Sequence, residues 1–124
     1  MNQKNIFTVI SVLFAIQGIA FFLMDEKVVT SAFPTLDAAA VPAGATLMQV
    51  IALLSIGWAL VTYATRNYPG VLGAFTLGAS LLLILTLKHK FVDHILVPIP
   101  AIIIQVFVVA SCAYLLTQNK AKAA

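Results

Sequence analysis

The sequence has little charge. Only 9% of its 124 residues are Asp, Glu, Lys or Arg, whereas about 25% is typical of soluble domains. With 62% hydrophobic residues, the chain lacks the composition of a disordered segment or of a water-facing globular surface. The interiors of its long apolar runs carry no charged residue. Buried membrane charges are the usual mark of proton relays and ion-coupled transport, so the sequence disfavours both functions.

The groups that carry chemistry are also scarce. A single cysteine, Cys112, excludes an intrachain disulfide framework, and no basic cluster suggests nucleic-acid binding. We find no glycine-rich phosphate loop, no catalytic Ser–His–Asp set and no paired carboxylates in an apolar segment. His89 and His94 are weak candidates for metal ligands, but Lys88 and Lys90 beside them would repel a cation. We therefore expect no catalytic residues, no metal and no cofactor, and an enzyme is the less favoured class.

Long uncharged windows are abundant. Four of them are long enough to cross a bilayer, which takes roughly 20 apolar residues: Asn5–Met24, Ala38–Thr65, Asn67–Leu87 and Ile95–Asn119. Their apolar runs do not alternate with polar residues, as the strands of a membrane barrel would. The sequence therefore predicts an all-α membrane protein, a single domain over residues 1–124 with four transmembrane helices at about 5–24, 42–65, 69–87 and 97–117. Short connections make neighbouring helices antiparallel.

The ends of these windows suggest an orientation. One side of the predicted bundle holds four Lys or Arg residues (Lys4, Arg66, Lys120, Lys122) and the other holds three (Lys27, Lys88, Lys90). Because positive charge favours the cytoplasm, we predict a multi-pass protein of the cell inner membrane with both termini cytoplasmic. Asp25-Glu26-Lys27 is interpreted as the end of the first span. Between Pro34 and Pro42, residues 35–40 are predicted to form a short interfacial helix.

Small residues at helical spacing mark possible packing faces, since they let membrane helices approach closely. The third span carries Gly70, Ala74 and Gly78 at every fourth position, and we expect its neighbours to pack on it. The other two such faces lie on the first two spans: Ser11, Ala15 and Gly18, then Ala52, Ser55 and Ala59. These nine residues are the predicted helix-packing positions.

Three glutamines lie within the predicted spans: Gln17, Gln49 and Gln105. An amide in hydrocarbon is costly unless it is hydrogen-bonded. Bonding between helices is the simpler interpretation. Lining of an outward-facing pocket is the functional one, which makes the three glutamines candidate ligand-lining residues.

The overall plan resembles that of the DoxX-like small membrane proteins. The features that carry the resemblance are LFAIQGIAFFLM in the first span, IALLSIGWAL in the second, GAFTLGA after a proline in the third, and His89 near its end. The resemblance implies a four-helix membrane bundle and links to membrane oxidoreductase or thiol-stress partners, although no cysteine pair is present here. It supplies no catalytic residues.

Two functions follow as hypotheses. The first is a small integral membrane protein that acts through helix–helix association, as a homo-oligomer or as an accessory subunit of a membrane complex. The second is a transporter or binder of a small apolar or weakly polar molecule, or of a lipid, in a cavity lined by the glutamines. The expected partners are the lipid bilayer and either a second copy or a larger membrane complex, with no nucleic acid.

Overall fold

The computed structural model describes residues 2–123, with side chains through residue 119. It is 85% helical, and the described residues contain no β-strand. The five α-helices are α1 Gln3–Leu23, α2 Asp25–Ala32, α3 Val41–Ala64, α4 Leu72–Phe91 and α5 Ile99–Ala123. Two 3-10 turns, Ala38–Ala40 and Pro69–Val71, lead into α3 and α4.

Four helical stretches are long and apolar enough to cross a membrane: Gln3–Leu23, Ala38–Ala64, Pro69–Phe91 and Ile99–Asn119. These stretches agree with the predicted spans to within a few residues. Two differences reach four residues: the second stretch begins at Ala38 instead of residue 42, and α4 runs four residues beyond the predicted Leu87. Lys88, His89 and Lys90 occupy this last turn, where positive charge interacts favourably with the helix dipole.

The connection after α1 differs from the prediction. The first span ends at Leu23, next to Asp25-Glu26-Lys27 as interpreted, but Asp25 and Glu26 then occupy the first turn of a second helix, α2, where acidic side chains are favourable. The predicted helix over residues 35–40 is reduced to the turn Ala38–Ala40. The Asp37 carboxylate caps this turn by accepting a hydrogen bond from the Ala39 amide at 3.1 Å.

The chain divides into two compact units. One is Thr8–Ala64, which holds most of α1 together with α2 and α3. The other comprises Met1–Phe7 and Thr65–Ala124, and in it α4 packs against α5.

The most buried of the four long stretches is α1, with 33% of its apolar window buried against 17% for each of the others. Its buried side chains include Ile6, Phe7, Ile10 and Phe14. The buried share does not identify the helix on which its neighbours pack, so the expectation that this is the third span stays a prediction.

Candidate functional site

A close backbone approach in the unit Thr8–Ala64 joins α1 to α3. The buried Ser11 hydroxyl of α1 donates a hydrogen bond to the Ala59 carbonyl of α3 at 2.8 Å. Two turns further along α1, a Cβ placed on Gly18 would lie 2.8 Å from the Ala52 carbonyl oxygen and 2.7 Å from Ile56 Cγ1. Glycine is thus required at residue 18, because any side chain there would meet the backbone of α3.

This contact, which we call the α1–α3 seam, brings together four of the predicted packing residues. They are Ser11, Gly18, Ala52 and Ala59, all of them buried. The remaining two predicted residues of these helices, Ala15 and Ser55, are half-buried. The Ser55 hydroxyl donates within its own helix, to the Ile51 carbonyl at 2.9 Å.

A second contact joins α2 to α3. The Gln49 amide nitrogen Nε2 donates to Asp25 Oδ2 at 2.6 Å, while Asp25 Oδ1 accepts from the Glu26 amide at 2.7 Å. One turn along α2, Val29 is buried, and its Cγ1 lies 2.8 Å from a Cβ placed on Gly44. Gln49 therefore has a protein partner that sequence reasoning missed, because Asp25 lies 24 residues away in the chain.

The other two glutamines present unsatisfied acceptors. The Oε1 atoms of Gln17 and Gln105 are buried and accept no hydrogen bond from the described residues. The Gln3 Oε1 is likewise buried and accepts no hydrogen bond from the described residues, although the Gln3 Nε2 donates to the Tyr68 carbonyl at 3.0 Å. Gln17 belongs to the unit Thr8–Ala64 and Gln105 to the other unit, and the prediction that the glutamines line one cavity stays a prediction.

In the second unit, α4 presents a buried face and a small-residue face. Phe75 of the buried face stacks on Phe7, with ring centroids 4.9 Å apart. The stripe consists of Ala74 and Gly78 of α4 together with Gly70 in the 3-10 turn before it. On α4 it lies roughly a third of a turn away from the buried face. No described atom comes within 4 Å of a Cβ placed on Gly70 or Gly78, and Ala74 is exposed. The expected packing of this stripe within the chain thus has no contact to support it.

The polar end of α4 is held by Asp93. Its Oδ2 lies 3.1 Å from Lys88 Nζ and 2.7 Å from His89 Nδ1. The hydrogen bond from His89, followed by that from Lys88, holds the pKa of the Asp93 carboxyl below its ordinary value. The chain then reverses at His94, which has a left-handed φ of 53°. His89 is thus engaged by a carboxylate, and no group of three potential metal-ligating side chains occurs among the described residues.

Comparisons with known proteins identify no relative: no protein-family model matches the chain, and neither the curated proteins nor the solved structures contain a match. The described residues provide hydrogen bonds that join helices, one open small-residue stripe and three buried amide acceptors without a hydrogen bond.

Proposed function

We propose that this chain is a four-span integral membrane protein that functions through helix–helix association, as a homo-oligomer or as an accessory subunit of a membrane complex. Four long apolar helices support membrane insertion, because a bilayer is the solvent in which so many exposed leucine and valine side chains are favourable. The resemblance to the DoxX-like proteins remains part of this proposal.

The proposed topology is an antiparallel bundle in the inner membrane with both termini in the cytoplasm. The contacts between the helices of the unit Thr8–Ala64 support the antiparallel arrangement. Their partners follow one another in reverse order along the chain, from Ser11 with Ala59 to Val29 with Gly44. Reporter tags at residues 1 and 124 should both locate to the cytoplasm, and opposite locations would contradict a four-span topology.

The observation that carries the proposal is the open stripe formed by Gly70, in the 3-10 turn before α4, and by Ala74 and Gly78 of α4. Within this same chain, small residues at Gly18 and Ala52 bring two helices to backbone contact. The stripe on α4 offers an equally smooth surface, yet open space lies beside Gly70 and Gly78. Since membrane helices associate through such surfaces, we propose that a helix of another subunit packs there.

Isoleucine substitutions on α4 test this use of the stripe. Gly78→Ile should leave the protein folded, because its side chain has room, but should reduce the size of the purified complex by removing the contact. Gly73→Ile is the matched control, since residue 73 lies on the same helix, is also open, and is off the stripe. Size-exclusion chromatography with light scattering in mild detergent provides the measurement. An unchanged size for both variants would mean that the stripe contacts lipid.

A second candidate function is binding or transport of a small, weakly polar molecule or a lipid. It is favoured by the buried, unpartnered Oε1 atoms of Gln17 and Gln105. A buried acceptor without a hydrogen bond costs about 1–3 kcal/mol, and a ligand with a hydroxyl or amine donor would remove this cost. Such a ligand would be apolar elsewhere, because both glutamines lie in apolar helices.

Leucine variants distinguish the two roles of these glutamines. If Gln105 binds a ligand, Gln105→Leu should keep or raise the thermal stability of the detergent-purified protein, because an unsatisfied acceptor is removed. Lipid that co-purifies with the wild type, measured by native mass spectrometry, should then be lost. If Gln105 joins helices instead, stability should fall and bound lipid should be unchanged.

A further inference from the structure

The helices α1 and α2, separated by a bend at Met24, pack one after the other along α3. Residues later in α1 and α2 contact residues progressively closer to the N-terminus of α3. Gly18 meets Ala52, Asp25 meets Gln49, and Val29 meets Gly44. Asp25 is therefore level with the third turn of α3, eight residues inside its first residue, Val41, or about 12 Å along its axis.

The lengths of the helices also place the boundary inside α3. Residues 5–24 of the first span carry no charge and cover about 30 Å, the thickness of the hydrocarbon core. The apolar stretch Ala38–Ala64 that contains α3 has 27 residues, which is about 40 Å. The excess of about 10 Å, counted from Ala38, ends near residue 45, about one turn before Gln49.

We infer that the hydrocarbon boundary on this side crosses α3 near Gln49, and that α2 with residues 33–48 stands outside the hydrocarbon. We call this part, residues 25–48, the headpiece. The inference depends on the proposed membrane insertion. With this boundary, Gln49 lies at the membrane surface and not in the interior of a span. The exposed side of α3 then has one part that faces lipid and another that faces water.

The charges of the headpiece agree with this placement. Glu26 and Lys27 are exposed on α2, and a charged side chain within hydrocarbon costs several kcal/mol. If α3 were immersed from Val41 onward, these two charges would lie about 10 Å deep beside it. A boundary at Gln49 keeps them in water. The bond between Gln49 and Asp25 then satisfies both groups at the level where hydration ends.

Cysteine labelling along one face of α3 tests the boundary. Ala43, Leu47 and Leu54 share a helix face and are all exposed, the two leucines to 66% and 68%. Each is replaced by cysteine, and the purified protein in lipid nanodiscs is treated with a membrane-impermeant maleimide that reaches both bilayer faces. The native Cys112 is fully buried, so the wild type provides the blank, and labelling after SDS denaturation provides the reference for full reaction.

The expected result is rapid labelling of Ala43→Cys and Leu47→Cys. Leu54→Cys should react at least about tenfold more slowly, because the reactive thiolate does not form in hydrocarbon. Slow labelling of all three variants would place the boundary near Val41, and slow labelling of Leu47→Cys and Leu54→Cys with rapid labelling of Ala43→Cys would place it between residues 43 and 47. Either result would overturn the inference, while membrane insertion would stand. Equal and rapid labelling of all three would instead refute membrane insertion, and with it the proposed function.

Discussion

Adding one methyl group at Gly18 should force α1 and α3 apart. The new Cβ would lie 2.7 Å from Ile56 Cγ1 and 2.8 Å from the Ala52 carbonyl oxygen. Neither atom can move freely, because one belongs to the backbone of α3 and the other to a β-branched side chain with few rotamers. The helices must therefore separate by roughly half an ångström to restore normal contact distances.

The expected cost can be estimated from two opposing terms. Overpacking of this kind typically costs about 1–3 kcal/mol, whereas alanine in place of glycine in a helix gains about 1 kcal/mol. Separation would also lengthen the 2.8 Å bond from Ser11 to the Ala59 carbonyl, whose net value is about 1 kcal/mol. Gly18→Ala should therefore lower the free energy of unfolding by about 1–2 kcal/mol.

Unfolding in mixed detergent–SDS micelles measures this difference. Gly57→Ala is the control, because residue 57 lies on α3 and a Cβ there meets no described atom within 4 Å. The control should retain or raise stability, since only helix propensity changes. If Gly18→Ala proved as stable as Gly57→Ala, the backbone approach of α1 and α3 described here would be wrong.

Two further predictions concern the end of α4. The lowered pKa of Asp93 means that its ionised form stabilises the fold fully above the ordinary value of 3.8 and that this contribution is lost as pH falls through the lower folded pKa. Below pH 3.8 the Tm of the wild type should therefore fall more steeply with pH than the Tm of Asp93→Asn. Parallel plots of Tm against pH for the two proteins would contradict this. His94 has a φ of 53°, so His94→Gly should raise the free energy of unfolding by about 1 kcal/mol. His94→Ala, which keeps a Cβ, should not, and an equal gain would show that backbone strain is not the cause.

Much of the helical layout could be predicted from the sequence, because hydrophobicity and length are properties of one segment at a time. The four long apolar helices appear where uncharged windows predict them. The helix α2 was missed because Asp25, Glu26 and Lys27 suit both a span end and a helix start. Only contact with α3, through Val29 and Asp25, favours the helix.

The site residues were harder to predict, since each depends on a register between helices. The partner of Gln49 could not be found from sequence spacing, because a 24-residue separation has meaning only after α2 and α3 are aligned. The free Oε1 atoms of Gln17 and Gln105 likewise depend on which neighbours surround them. Composition indicates that an amide in an apolar helix needs a partner, but it does not identify the partner.

The two small-residue faces show what the periodic spacing of small residues can and cannot predict. Periodic glycine and alanine predict that a helix face is smooth, and this holds equally for the α1–α3 seam and for the stripe on α4. The difference is in hydrogen bonding: the seam includes Ser11, whose hydroxyl reaches the opposite backbone, whereas Gly70, Ala74 and Gly78 carry no polar side chain. A helix that packs on the stripe would be held by dispersion alone, which depends steeply on distance. Association there should therefore be reversible and more sensitive to side-chain size than the α1–α3 seam, as expected for a contact between subunits.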